Sequence, residues 1–531
     1  MAWHALATPL TLYAVALIVR LSTLVLVPFS LTEGSAYYVA VARNMADGRG
    51  MVIDALWSYA TPPLTLPRQA FELWQPMASV VAALPMHLFG STFASAQLGF
   101  ALLGAALAPL AWWIARDAGR RLDLPANRAR AVAAGAGLLV AVGAPFVLAA
   151  AVPDSTLPFT VVGVAACVAM PAAARGNRRA LLVVGLLLGL AYLTRMEAVY
   201  LGLVFILLAW LTGVHGRQLV ARIGGVAVVG AAVALPWWLR NVAAFGTPLT
   251  GQLADNVFFT RNEQIFAWHD QPTLAGFLAQ GPATMAANIA AAAWNSFFDV
   301  LLLPGTVIVG VGLVTLTLGW RRRQLVSASA LWAVLAFGLI TFVMTSVAFP
   351  VATLWGTFAH ASGPLLVGLA VLAVLGGDAF IARVRVWRGW QRPNAWMAPA
   401  ALVVLAVTMT AFQLVSAGRQ AKQRDRQVAA AAAAVSFALA PNSTTPVITD
   451  HPIWLSEALG VPALALPDED AASVVDLART FGARAVVILD SDLRNPATLA
   501  ADSSGCLEPL PVSSLTDLPA LTVFTISEAC R

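Results

Sequence analysis

Eight side chains in this 531-residue sequence are of the types needed to move a group off a phosphate: Glu33, Tyr37, Tyr38, Asp154, Arg195, Glu197, Arg240 and His360. Glu33 and Asp154 lie in different loops. Such a carboxylate pair can deprotonate an acceptor with one member and use the other to orient the acceptor or a divalent metal. A metal, if one binds, would sit on these two residues. Arg195 or Arg240 can hold a phosphate bidentately and neutralise it. Tyr37, Tyr38, Glu197 and His360 are the candidates to touch the acceptor or the transferred group, the two tyrosines because they follow Glu33 so closely. Taken singly, each is explained as readily by snorkelling into a membrane interface. The set carries more weight than its members.

The elements that must position these residues are membrane helices. Hydrophobic residues make up 59% of the chain and charged residues 11%, against about 25% charged in a soluble domain, and the mean hydropathy is +0.78. Apolar runs near the length of a bilayer span recur at about 9–29, 92–115, 131–150, 156–174, 180–194, 197–214, 221–239, 297–319, 326–347, 362–381 and 397–416. The run 76–89 is interrupted by Pro85 and His87 and reads as an interfacial or re-entrant helix. The first run is too long for a signal-peptide core and lacks a cleavage site, so it reads as a retained span.

Charge orients these spans. The net charge of +6 comes from arginine clusters in alternate loops: Arg116 to Arg130, Arg175 to Arg179, Arg217 and Arg222, Arg321 to Arg323, and Arg383 to Arg392. The opposite loops hold most carboxylates, among them Glu33, Asp54, Glu72, Asp154 and Asp255. The positive-inside rule is met at every loop with about 11 helices, a cytoplasmic N-terminus and an extracytoplasmic C-terminus. The basic residues therefore point to a membrane and not to nucleic acid. All eight candidate residues then fall near the outer surface, where ionisable groups carry a functional reading by default.

From about residue 419 the composition changes. Three short apolar runs, at 446–450, 463–467 and 484–490, flank a stretch of helical spacing at 469–481, which predicts a small α/β domain. The expected division is a membrane domain, 1–418, including a first external loop at 30–91, and an extracytoplasmic α/β domain, 419–531. Cys506 and Cys530 flank the last strand-like segments, and an oxidising compartment permits a disulfide between them. Cys167 lies alone in an apolar run.

The order of motifs resembles the GT-C membrane glycosyltransferases, including protein O-mannosyltransferases and lipid A aminoarabinose transferases. The motifs are Ala36 to Asn44 with Gly48-Arg49-Gly50, Leu73-Trp74-Gln75-Pro76 to Gly90, Pro153-Asp154, and Gly189 to Arg195. Further on come Trp237-Trp238-Leu239-Arg240-Asn241 with Phe245-Gly246-Thr247-Pro248, and Gly356-Thr357-Phe358 with His360. The resemblance implies an inverting transfer of a sugar from a polyprenyl-phosphate donor, on the outer face of a bacterial-type plasma membrane, to a protein, lipid or glycan. It also implies roles: Asp154 at the second acidic position, Arg195 or Arg240 on the donor phosphate. In that family the acidic residue serving as base stands four places before the tyrosine matching Tyr38. Here Gly34 occupies that place and the carboxylate comes one residue earlier, at Glu33. Two other readings are a degenerate homologue that only binds the sugar lipid, motivated by Gly34, and a transporter or flippase. Against the latter, no internal repeat is evident.

Overall fold

The computed structural model describes residues 8–249, 256–319, 328–354, 356–391, 394–438, 445–489, 495–502, 504–511 and 521–530. Asp255, Arg321, Arg322, Arg323 and Arg392 lie outside the described residues. Among those described, nine helices are long and apolar enough to cross a bilayer: Pro9–Leu26, Phe93–Arg121, Ala126–Ala151, Thr156–Ala174, Gly216–Phe245, Gly281–Leu318, Ala330–Ala348, Gly363–Arg388 and Met397–Ser436. The chain is an integral membrane protein. The remaining two of the eleven expected spans fold as Arg178–Tyr192 and Ala198–Leu211, of 15 and 14 residues. At 1.5 Å per residue these cover about 21–23 Å, short of the roughly 30 Å hydrocarbon layer. Met77–Phe89, with 13 residues, is shorter still, in keeping with its exclusion from the spans.

The short pair matters because its meeting point, residues 193–197, carries Arg195 and Glu197. Helix Arg178–Tyr192 packs tightly on Gly216–Phe245 through glycine: a Cβ added at Gly189 would lie 2.6 Å from Val233 Cβ. Small residues at such a contact let two backbones approach in lipid. Elsewhere a buried arginine stabilises a break. Helix Ala126–Val142 ends at Gly143 before Ala144–Ala151 begins. Arg20, in the first span, donates to the exposed carbonyls of Ala141 and Val140 at 3.0 and 3.3 Å. These are the orphan acceptors of a helix end, which in a bilayer must find an internal donor.

The expected strands and helix of the C-terminal region are present as Val447–Thr449, Ala463–Ala465, Ala485–Ile488 and Ala471–Phe481. They belong to a six-stranded sheet ordered Ala55–Leu56, Ala463–Ala465, Val447–Thr449, Ala485–Ile488, Thr522–Ile526, Leu507–Leu510. The first four strands are parallel and the last two antiparallel to their neighbours. Cys506 and Cys530 are joined in a disulfide at the antiparallel end. The opposite edge strand, Ala55–Leu56, comes from the first external loop, and Tyr59 Oη donates to Ala465 O at 2.5 Å beside it. The start and the end of the chain therefore build one sheet. Helix Met397–Ala438 runs through residue 418 without interruption, carrying the last span directly into this region.

The first loop is braced from within. Arg68 and Glu72 form an ion pair at 3.0 Å with side chains 0% and 1% exposed. Arg68 also donates to the carbonyls of Pro63 and Thr61. Such burial is tolerable because each charge is both paired and hydrogen-bonded.

Candidate functional site

Between the membrane helices and the sheet lies a cavity of about 1310 Å³. Its polar part is lined by Glu33, Tyr38, Asp154, Ser155, Arg195, Glu197, His360, Asp450 and His451. Its apolar part runs between the short pair and Gly216–Phe245, along Leu188, Val199, Phe205, Ile206, Ile223, Val226 and Ala234. Trp57, Trp74, Phe266 and Trp454 add aromatic faces.

Asp154 and Arg195 are set by neighbours close in sequence. Thr156 N–H donates to Asp154 Oδ1 at 2.7 Å, across the turn between Ala144–Ala151 and Thr156–Ala174. His360 Nδ1 lies 3.5 Å from Asp154 Oδ2 and 2.7 Å from Thr156 Oγ1. Burial pushes the Asp154 carboxyl up, but the hydrogen bond and charge of His360 and the Thr156 donors outweigh it, and the group is held below its ordinary range. Arg195 forks onto Glu197 through Nε and Nη2 at 3.2 and 2.6 Å and donates from Nη1 to Ser155 Oγ at 2.8 Å. The side chains of this pair are 14% and 9% exposed. Three of the five guanidinium N–H groups are thus engaged. Burial pushes the Tyr38 phenol up, with the Arg195 charge working against it.

Glu33 is set by residues more than 400 places away. Its two oxygens accept from the backbone N–H groups of Ile453 (3.0 Å) and Trp454 (3.1 Å), at the start of helix Pro452–Leu459. The His451 imidazole lies 3.8 Å from Glu33 Oε1. Burial raises the Glu33 carboxyl to about 7 although His451 and the two N–H groups pull it down.

The cavity thus gathers Glu33, Tyr38, Asp154, Arg195, Glu197 and His360 from the eight candidates. Tyr37 and Arg240 do not line it. Tyr37 is buried behind the loop, its hydroxyl accepting from Phe71 N–H at 2.6 Å and donating to Glu72 at 3.3 Å. Arg240 stacks over Trp237 and Phe245 and reaches Gln69 Oε1 at 3.4 Å. Asp450, His451 and Trp454 are lining residues that motif reading passed over. One signal marks them: Asp450 and His451 follow the end of a parallel strand and precede a helix opened by Pro452, whose first turn carries Trp454, the place where α/β sheets commonly carry ligand sites.

A divalent metal finds a poor fit here. Among the described residues no three His, Cys, Asp or Glu side chains are grouped to hold one. The imidazoles of His451 and His360 stand beside Glu33 and Asp154, so each carboxylate already has a nitrogen partner of its own.

Residues 74–239 match the family described as dolichyl-phosphate-mannose-protein mannosyltransferase. That segment contains Asp154, Arg195 and Glu197. No curated protein gives a significant match in sequence. Among solved structures, the fold matches ArnT from Cupriavidus metallidurans in the apo state, with a TM-score of 0.55, and the same protein bound to undecaprenyl phosphate, with a TM-score of 0.58. Each is 16% identical, over 98% of both chains. The chain therefore shares the fold of ArnT over nearly its whole length and matches the mannosyltransferase family in sequence over 74–239.

Proposed function

We propose that the protein is a glycosyltransferase that moves a sugar from a polyprenyl-phosphate donor to an acceptor hydroxyl or amine at the extracytoplasmic face of the membrane. One observation carries this reading: a single cavity joins two carboxylates and an arginine to a long apolar channel between membrane helices. An amphipathic donor needs both parts, a polar end for the phosphate and sugar and a greasy wall for the prenyl chain. The likeness to ArnT, which binds undecaprenyl phosphate, and the mannosyltransferase match support the same substrate class. The Cys506–Cys530 disulfide suits an oxidising compartment, which supports an extracytoplasmic C-terminal region of about residues 419–531 and a cytoplasmic N-terminus.

The two carboxylates take different tasks because their surroundings push them apart. Glu33, raised to about 7, is matched to accepting a proton near neutral pH. Asp154, held low beside His360, stays ionised and orients the acceptor. In the step itself, Glu33 takes the acceptor proton as the acceptor atom bonds to the anomeric carbon. The bond from that carbon to the phosphate oxygen breaks, its electron pair leaving with the polyprenyl phosphate. The Arg195 guanidinium, oriented by Glu197 and Ser155, faces that charge. A single displacement of this kind inverts the anomeric configuration. Tyr38 and the nearby indoles of Trp57 and Trp74 offer faces for the sugar.

The ionisable lining sits on turns and helix ends at 154–155, 195–197, 360 and 450–451 rather than within the spans, which disfavours a transport path. The test is transfer from a panel of polyprenyl-phosphate sugars by the protein in lipid nanodiscs, wild type beside Glu33→Gln, with and without divalent metal. Turnover lowered by about 10²–10⁴-fold in the variant, with donor binding kept, is the expected result. Binding without turnover in the wild type would instead identify a sugar-lipid-binding homologue.

A further inference from the structure

We propose that helix Pro452–Leu459 positions the Glu33 carboxylate for proton transfer through the backbone N–H groups of Ile453 and Trp454, making the C-terminal sheet region a working part of the transfer site. The inference rests on the transferase reading above and adds a second requirement to it.

Glu33 is the first residue of helix Glu33–Ala46, yet it does not cap that helix; Thr32 does, accepting from Ser35 N–H. Its carboxylate is captured instead by the start of another helix. First-turn N–H groups have no partner within their own helix, and here two of them take one oxygen each at 3.0 and 3.1 Å. This fixes the carboxylate plane, while each oxygen keeps a lone pair beyond the one spent. The docking of that helix is itself over-determined. Trp454 donates its indole N–H to Ser30 Oγ at 2.7 Å, beside Glu33 in sequence. Its ring lies 4.8 Å from that of His451 and 5.0 Å beneath the Arg424 guanidinium. Ser456 donates to Asp54 O at 3.0 Å, and Glu457 pairs with Arg43. The edge strand Ala55–Leu56 completes the attachment by pairing with Ala463–Ala465. Three side chains of the helix, Trp454, Ser456 and Glu457, therefore tie it to the first external loop beside the carboxylate.

Ile453→Pro tests this directly. Position 453 is the second residue of the helix, where proline removes the donor to Glu33 and breaks no bond within the helix; because it also replaces a buried core side chain, Ile453→Val, which keeps the N–H, serves as the packing control and is expected to keep kcat within about twofold. In nanodisc transfer assays the variant is expected to lose about tenfold or more in kcat, with the donor KM within about twofold, since a misplacement of about 1 Å can cost 100-fold. The same change in a Glu33→Gln background is expected to cost less than about twofold, because no base remains to be positioned. An unchanged kcat in Ile453→Pro, or an equal loss in both backgrounds, would overturn the proposal while leaving the transferase reading intact. A wild type inactive with every donor would overturn both. Should Ile453→Pro fail to fold, amide hydrogen exchange decides: Glu33→Ala is expected to speed exchange at Ile453 and Trp454 by about tenfold or more, and unchanged exchange sinks the contact.

Discussion

The two sides of the polar cavity are held in opposite ways. Asp154 and Arg195 take their geometry from partners nearby in sequence, Thr156 and Glu197, with Ser155 and His360 bridging between spans. Glu33 takes its geometry from Ile453 and Trp454, and a third long-range neighbour, His451, stands by. The first side is a rigid floor built into the membrane bundle. The second is a roof made by joining the first loop to the C-terminal sheet. A phosphate must be gripped the same way each time, which suits a floor. An acceptor has to arrive and depart, and a base carried under a docked domain can be set without rebuilding the bundle.

The contrast can be broken at the floor first. Arg195→Ala removes the proposed phosphate partner and leaves Glu197 buried without its counter-charge. Breaking such a pair costs about 3–5 kcal/mol of stability, so the melting temperature should fall, and loss of the charge facing the leaving group should lower transfer about 10²–10³-fold. Retained kcat/KM in that variant would remove Arg195 from the donor site. At the roof, Glu33→Gln should lower turnover by about 10²–10⁴-fold, the range for general-base catalysis, with donor affinity little changed and the melting temperature near wild type.

A pH profile sharpens the difference between the carboxylates. Glu33 is raised to about 7, so it carries a proton below that pH and cannot accept another. Turnover should rise with pH, reach a plateau above about 7, and fall about tenfold per unit on the acid side. Asp154 lies below its ordinary range, so it stays ionised throughout and adds no limb there. An acid limb displaced below the ordinary carboxylate range would assign the base to Asp154 and reverse the two roles.

Smaller effects are expected outside the cavity. Arg240→Ala loses cation–π contacts with Trp237 and Phe245, worth about 0.5–1 kcal/mol at accessible sites, and transfer should drop only a few-fold. A loss matching that of Arg195→Ala would show that Arg240 reaches the donor after all. Least of all should transfer respond to Cys506→Ser with Cys530→Ser. This disulfide lies at the sheet edge opposite Ala55–Leu56, and its removal should cost about 2–4 kcal/mol of stability while turnover stays near wild type.

How much of this was legible in the sequence follows the same divide. The spans could be read because a bilayer imposes length and apolarity on each helix separately. For Arg178–Tyr192 and Ala198–Leu211 the apolar runs at 180–194 and 197–214 already mark a break; the structure widens it to a turn at 193–197, which leaves both helices short of a full span. Asp154, Arg195 and Glu197 could be read because polar groups at adjacent span ends must lie at one membrane surface. Tyr37 and Arg240 met the same criterion, yet packing turned Tyr37 toward Glu72 and Arg240 onto aromatic rings.

By itself the sequence determined the membrane architecture, the α/β character of the C-terminal region and the ionisable groups brought to one surface. These depend on composition, periodicity and charge, which act over a few turns of helix or a single loop. Tertiary structure alone decided that Ala55–Leu56 joins the C-terminal sheet, that Asp450 and His451 line the cavity, and that Glu33 is held by Ile453 and Trp454. The strand pairing and the capture of Glu33 rely on backbone groups, which every residue carries alike, across more than 400 positions. No pattern of side chains along the chain can announce them.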